Sequence, residues 1–321
     1  MRLIRTWQDV QPSATGAVVA IGNFDGVHKG HRVVIQRALD EAANDGAPSA
    51  LLTFEPHPRT WFQPDAPPFR LTPLRTKTRQ IEALSVDLFY VLAFDQAMAS
   101  RPAEAFVDEI LVRGLQVRHV VVGDDFVFGK GRGGSVETLQ AAADNGLFDL
   151  SIVSAVDDEA GATYSSTRIR DSLRNGNPAA AAQILGRPWE IEGHILPGDQ
   201  RGRTIGFPTA NMDLSDYVLP MFGVYAVEVA LEDPATGYQS ETWLPGVANL
   251  GERPTIGGGK ILLEAHIFDF SDDIYGRLAR VRLIDYIRPE VKFDGLDALQ
   301  AQIADDAAAA RRIIAALPAG Q

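Results

Sequence analysis

The sequence predicts an α/β first half built on a mainly parallel sheet and a second half that is an antiparallel β-barrel with a terminal helix. Three observations support this. From residue 17 to about 175, strand-like and helix-like segments alternate, an order that lays strands parallel with helices between them. Past Pro188 the pattern changes to short β-type segments split by Gly and Pro turns, the spacing of a closed or nearly closed barrel. Between them stand the breaker clusters Asn175-Gly176-Asn177-Pro178 and Gly186-Arg187-Pro188, around a short alanine-rich helix. The expected domains are therefore 1–186 and 187–321.

A chain of 321 residues supports two cores. Its 45% hydrophobic and 22% charged residues exclude a disordered or fibrous class. The net charge of −12 disfavours nucleic acid as the main partner. With no cysteine, disulfides and thiolate metal sites are excluded, and a reducing compartment is suited. The opening Met1-Arg2-Leu3-Ile4-Arg5-Thr6 has no apolar core long enough for a signal peptide, and no run of about 18 apolar residues occurs. The expectation is a soluble cytoplasmic protein with no membrane partner; oligomeric state is not legible.

The first strand, Ala17-Val18-Val19-Ala20-Ile21, stops at Gly22, and Arg32-Val33-Val34-Ile35-Gln36-Arg37-Ala38-Leu39 reads as a helix with a core-facing stripe. Between them His28 and His31 fall three apart at the helix start, on one face. Open amide N–H groups and the positive helix end make an anion site there, and Gly26 and Gly30 let backbone approach a ligand. That combination suits a nucleoside triphosphate attacked at phosphorus. A zinc site would need a third ligand, and the glutamate of His-Glu-x-x-His is absent.

Strands follow at 50–54, 87–92, 117–122 and 150–156, with helices near 75–85, 103–113, 135–145 and 166–174. Ligands of such sheets sit beyond the carboxyl ends of the strands, where the remaining motifs fall. Glu55-Pro56-His57-Pro58-Arg59 reads as an extended loop held by its prolines, with His57 either a ligand contact or a packed loop residue. Arg70-Leu71-Thr72 precedes a helix and reads as a plain surface charge. Gly123-Asp124-Asp125-Phe126-Val127-Phe128 leads into Gly129-Lys130-Gly131-Arg132-Gly133-Gly134. The latter formally matches G-x-G-x-x-G, but the strand already ends at Gly123, so the tight turn of a dinucleotide site is missing. A flexible phosphate-covering loop with Lys130 and Arg132 as movable counter-charges fits better. In Ser165-Ser166-Thr167-Arg168-Ile169-Arg170 the hydroxyls cap a helix or bind phosphate, and the two arginines are either solvated surface charges or neutralise a triphosphate.

Taken together, Gly22-x-Phe24-Asp25-Gly26-Val27-His28-x-Gly30-His31, Thr53-Phe54-Glu55-Pro56-His57-Pro58, the glycine loop and Ser165–Arg170 resemble the Rossmann-like nucleotidyltransferase module of the bacterial bifunctional riboflavin kinase/FAD synthetases. Ser135 stands where that family often has an acid.

In the second half, β-type segments span 190–195, 223–229, 242–250, 262–268 and 278–287, and a helix near 296–317 packs on the barrel. Gly198-Asp199-Gln200-Arg201-Gly202-Arg203-Thr204-Ile205-Gly206-Phe207-Pro208-Thr209-Ala210-Asn211 reads as a tight loop with inward N–H groups or as a glycine-rich hairpin with surface arginines. Thr209 and Asn211 offer neutral oxygens to a magnesium ion held by ATP phosphates, and no Walker A sequence occurs. Glu264 is an acid inside the apolar Leu262–Phe268 strand. It is either a general base facing a cleft or one member of a structural pair with His266, which alternation puts on the same face. Gly202-Arg203-x-x-Gly206-x-Pro208-Thr209-Ala210-Asn211, Gly223-Val224-Tyr225, Asn249-Leu250-Gly251-x-Arg253-Pro254-Thr255 and Leu263-Glu264-x-His266 resemble the riboflavin kinase module of the same family.

The resemblance implies two reactions on riboflavin, FMN and ATP. Glu264 would be the kinase base, and His28 and His31 would stabilise charge in FMN adenylylation, with nucleotide held by Gly22, Phe24, Asp25, Gly26, Gly30 and Arg168. Gly202, Arg203, Gly206, Pro208, Thr209 and Asn211 would hold the kinase's nucleotide and Mg2+. His57, Asp125, Phe126, Phe128, Ser166 and Thr167 would lie at or behind the flavin, Asp125 near substrate or magnesium. Two rivals remain: another His-x-Gly-His nucleotidyltransferase with a regulatory flavin- or nucleotide-binding barrel, and a non-catalytic flavin- or RNA-binding module.

Overall fold

The computed structural model describes residues 1–197, 209–233, 242–253 and 260–317. They divide into two compact units, Met1–Pro67 with Thr72–Ser165 and Pro68–Leu71 with Ser166–Gln321.

In the first unit β1 (Arg2–Ile4), β2 (Val18–Ile21), β3 (Ser49–Glu55), β4 (Leu88–Ala93), β5 (His119–Gly123) and β6 (Asp149–Val153) form one sheet in the order β1-β4-β3-β2-β5-β6. Every pairing is parallel. Helices α1 (Lys29–Asp45), α2 (Pro58–Phe62), α3 (Leu74–Glu82), α4 (Gln96–Ala99), α5 (Ala103–Ala105) and α6 (Val136–Asp144) lie between strands, and α5 continues as a π-helix over Phe106–Gly114. The unbroken apolar run of β2 has a simple cause, because both of its faces are covered. Val18 and Ala20 pack with Ile35, Ala38 and Ile81, whereas Val19 and Ile21 pack with Ile110, Leu111 and Leu139. From the β2–β5 pair the strand order runs outward in opposite directions, so the crevice at their carboxyl ends is the topological switch point where such sheets bind ligands.

The second unit begins with α7 (Ser166–Arg174) and α8 (Pro178–Leu185). Its strands are β7 (Trp189–His194), β8 (Ala210–Asp213), β9 (Gly223–Leu231), β10 (Leu244–Arg253), β11 (Lys260–Ile267) and β12 (Leu278–Arg288), in the order β7-β12-β9-β10-β11-β8. All pairings are antiparallel. Leu196, just past β7, donates its N–H to the Asn211 carbonyl at 2.8 Å, drawing the two edges together into a nearly closed barrel. Residues 68–71 strap onto this unit: Arg170 Nε donates to the Phe69 carbonyl (2.7 Å), Val218 N–H to that of Arg70 (2.7 Å) and Trp189 Nε1 to that of Leu71 (3.0 Å).

The terminal helix α9 (Leu296–Ala315) packs on β9, β10 and β12, burying Ala310 against Val224, Ala226 and Ile284. Arg288 fastens it with two parallel bonds to the Asp306 carboxylate, at 2.8 and 2.6 Å. Asp306 is 4% exposed, so removing it leaves a guanidinium without its counter-charge. Asp306→Ala should lower the stability of the second unit by about 3 kcal/mol in urea unfolding. A loss under about 0.5 kcal/mol would show that solvent satisfies Arg288 instead.

Candidate active sites

The first site is the turn between β2 and α1. A Cβ on Gly22 would stand 3.1 Å from the Phe24 ring, so glycine there lets that ring fold back. Phe24 (φ 47°), Gly26 (φ 94°) and Val27 (φ 44°) all take left-handed backbone. The turn delivers His28 to the N-cap of α1, where its Nδ1 accepts the His31 N–H at 3.2 Å. That bond leaves the ring proton on Nε2, which becomes a donor. The two imidazoles stack with centroids 3.6 Å apart and planes 21° from parallel. A Cβ on Gly30 would press within 3.2 Å of the His28 ring and 3.4 Å of the Tyr164 Cβ. The helix starts at Lys29, between the two histidines as expected, but one expectation changes: the His31 amide is taken by the capping imidazole instead of standing open to an anion. Asp25 is 3% exposed, and its Oδ1 accepts from the Thr72 N–H (2.9 Å) and hydroxyl (3.2 Å), so this carboxylate oxygen is turned into the protein.

At the end of β3 the chain is not extended as expected. The Glu55–Pro56 bond is cis, Pro58 starts α2, and His57 caps it by accepting the Arg59 N–H on Nδ1 at 3.1 Å. Proline suits a first helical position because its φ is already helical and its missing N–H is not needed there. At the end of β5 the acidic pair divides. Asp124 accepts the Ala155 N–H on Oδ2 at 3.2 Å, tying the loop to the chain beyond β6, whereas Asp125 leaves that amide alone; both carboxylates are exposed at the end of β5.

Phe126 stacks on Phe128 with centroids 5.4 Å apart. From Phe128 an aromatic run continues through Phe106, Phe54 and Phe94 to Phe62. Phe62 is 63% exposed and Trp61 37%, two aromatic surfaces at the same end of the sheet that the sequence reading passed over. Their signal was available: an aromatic pair directly after His57-Pro58.

The glycine loop is not the free strap expected. Phe128 and Gly134 exchange backbone hydrogen bonds at 3.0 and 2.9 Å, and Lys130 N–H donates to the Arg101 carbonyl at 2.8 Å. Lys130 and Arg132 are exposed on this pinned base. The G-x-G-x-x-G match thus lies in a closed turn, not at a strand-to-helix phosphate turn. Ser166, Thr167 and Arg168 open α7, which belongs to the second unit. Of the two arginines expected to meet a triphosphate, Arg170 is instead engaged by the Phe69 carbonyl and ring. Asp45, His119 and Asp149 converge at the opposite, amino-terminal end of the strands, where Arg118 Nε pairs with Asp45 at 3.1 Å.

The second site is a row across the barrel. Register places Asn211 of β8 and Asn249 of β10 directly opposite Glu264 of β11, one on each side. Directly opposed residues share a face, with Cβ atoms about 4.5–5.5 Å apart. Glu264 and His266 are half-buried between the buried Leu263, Ala265 and Ile267, the alternation expected. Asn249 Nδ2 donates to Glu290 Oε1 at 3.0 Å. Asn211 is 3% exposed, and among the described residues its Oδ1 has no hydrogen-bond partner. A buried, unsatisfied amide oxygen beside a carboxylate fits a hard cation that prefers oxygen donors. Thr209 stands half-buried just before β8. Asn211 was expected in a loop and is a strand residue, paired with β11. Gly202, Arg203, Gly206 and Pro208 lie outside the described residues.

Comparison with known proteins matches the chain to two family models, FAD synthetase over residues 10–168 and riboflavin kinase over 185–314. The bifunctional riboflavin kinase/FMN adenylyltransferase of Escherichia coli K12 is 43% identical over 312 residues, 97% of each chain. The chain belongs to the bifunctional riboflavin kinase/FMN adenylyltransferase family. Members from Pseudomonas fluorescens and Bacillus subtilis are 40% and 37% identical, covering 98% and 90% of each chain. A Streptococcus pneumoniae crystal structure titled as a macrolide-efflux protein matches 98% of this chain and 99% of its own, at 31% identity and a TM-score of 0.83. Among the described residues no helix is long and apolar enough to cross a membrane.

The pinned loop base is testable. A Cβ on Gly134 would lie 2.5 Å from the Ala103 Cβ and 2.9 Å from the Phe128 ring. Gly134→Ala should destabilise the first unit by about 2 kcal/mol in urea unfolding. Unchanged stability would mean that the loop does not rest on Ala103.

Proposed function

We propose that the chain converts riboflavin to FMN and FMN to FAD, each step consuming an ATP, with kinase chemistry in residues 187–321 and adenylyl transfer in residues 1–186. The observation that carries the reading is the separation of two phosphate-chemistry constellations onto two compact units: the stacked His28 and His31 in one, the Asn211–Glu264–Asn249 row in the other.

In the kinase, the Glu264 carboxylate takes the proton from the ribityl 5′-hydroxyl as that oxygen bonds to the γ-phosphorus of ATP and ADP leaves. Thr209 and Asn211 hold Mg2+, which neutralises phosphate charge when bound; the unsatisfied Asn211 Oδ1 supports this choice. In the adenylyltransferase, an ionised FMN phosphate oxygen bonds to the α-phosphorus of ATP and pyrophosphate leaves, so no protein nucleophile is required. The His28 Nε2–H, at the positive end of α1, donates to the phosphate oxygens as charge develops, with His31 and Arg168 assisting. Gly22, Phe24, Gly26 and Gly30 give the turn its shape, and Asp25 acts by holding that turn. Asp125 is favoured over Asp124 as the carboxylate on the substrate and magnesium side, because Asp124 is engaged by the Ala155 amide. The exposed Phe62 and the Phe126–Phe128 stack offer the apolar surface an isoalloxazine ring needs. His57, Ser166 and Thr167 are assigned to flavin binding or its support. Gly202, Arg203, Gly206 and Pro208 are assigned to the kinase's nucleotide. The enzyme is assigned to the cytoplasm, with small-molecule partners only.

Chromatography of flavins after incubation with riboflavin, ATP and magnesium tests the assignment. FMN and then FAD should appear. His28→Ala should leave FMN formation intact and lower FAD formation by about 10²-fold or more. Glu264→Gln should lower FMN formation by about 10²-fold while added FMN is still adenylylated. A Glu264→Gln protein with normal kinase rate would favour a purely regulatory barrel.

A further inference from the structure

The stretch leading into α3 reads in the sequence as no more than a surface arginine and a helix start, yet Thr72 is 2% exposed and bonded to the turn that carries both histidines. Its N–H donates to Asp25 Oδ1 at 2.9 Å, and its hydroxyl donates to the same oxygen at 3.2 Å. That hydroxyl also accepts the Gly26 N–H at 2.8 Å, so one oxygen bridges two successive residues of the turn. Further along, on α3, Lys77 is 3% exposed and its Nζ donates to the Asn23 carbonyl at 2.7 Å. One segment therefore grips the turn at Asn23, Asp25 and Gly26.

The turn requires such a grip. Phe24 and Val27 have φ of 47° and 44°, and a β-branched residue there is a steric outlier. Strained backbone of this kind persists only where the surroundings over-determine it. Released, the turn would relax toward ordinary backbone and carry the N-cap imidazole with it, because His28 follows Val27 directly. The buried Lys77 ammonium has a further consequence. Together with the Thr53 hydroxyl, which donates to the same oxygen at 3.3 Å, it fixes the Asn23 carbonyl at the start of the turn.

We infer that Thr72, seconded by Lys77, is a positioning residue for adenylyl transfer: its hydroxyl, held between Asp25 and Gly26, sets the turn that presents His28 and His31. The inference rests on the reading of the first unit as the adenylyltransferase. A positioning group acts on kcat more than on binding, because a misplaced catalytic group costs rate while ground-state contacts survive.

The bifunctional chain supplies its own control. In the full-length protein, FAD formation from FMN and ATP and FMN formation from riboflavin and ATP are measured side by side. Thr72→Val removes the hydroxyl at nearly constant volume. It should lower kcat for FAD formation about 10²-fold, leave both KM values within about threefold and leave the kinase rate within about twofold. Thr72→Ser, which restores the hydroxyl, should recover kcat to within about threefold. Lys77→Met should lower the same kcat, and the double variant should fall no further than about the worse single, as expected for groups acting on one turn. The inference is overturned if Thr72→Val keeps full kcat, if Thr72→Ser is as slow as Thr72→Val, or if the kinase rate falls in step with FAD formation. Wild-type protein that makes no FAD from FMN would defeat the underlying functional reading instead.

Discussion

The turn between β2 and α1 is held in a conformation the chain resists, and the first site depends on that constraint. Left-handed backbone at Phe24 and Val27 costs of order 1–3 kcal/mol per residue. What offsets it is local and specific. The Phe24 side chain is 2% exposed and that of Val27 fully buried, and the Asp25–Thr72–Gly26 bonds close the loop from the other side. The return on this strain is geometric: an imidazole at an N-cap stacked on a second imidazole, where the helix end favours negative charge. A relaxed turn would leave the same residues in the chain without that convergence.

The second site rests on a different constraint, strand register. Nothing in the barrel has to be strained to bring Asn211, Glu264 and Asn249 together, because antiparallel pairing of β8, β11 and β10 sets them side by side. A slip by one residue would turn Glu264 into the core and expose Leu263 and Ala265. Burial of those residues therefore holds the acid on its face. Phosphoryl transfer relies mainly on alignment and charge neutralisation, so a rigid sheet holding a carboxylate between neutral amide side chains suits the kinase role proposed for it.

What could be read beforehand follows from how local each signal is. β2 was legible because two covered faces leave an unbroken apolar run, and Glu264 because an acid interrupts an apolar strand. β1 and β8 were missed: Arg2–Ile4 and Ala210–Asp213 are too short to show alternation. The choice between Asp124 and Asp125 depends on the amide of Ala155, about thirty residues away in sequence, and no local pattern records it. Thr72 was invisible for a similar reason, since threonine is at home on any surface and its work is done against residues far earlier in the chain. The glycine loop was misread as free because glycine signals close approach as readily as flexibility. Here Gly134 is needed for packing on Ala103.

One polypeptide performs two chemically distinct attacks on ATP, at the γ- and then the α-phosphorus. Incubating the protein with riboflavin and ATP labelled separately at the γ- or the α-phosphorus tests it most directly. FMN should carry the γ label and FAD both, the γ label in the flavin-side phosphate and the α label in the adenylate side. FAD that acquires the α label but never the γ label from riboflavin, or FMN that takes up no label, would contradict it.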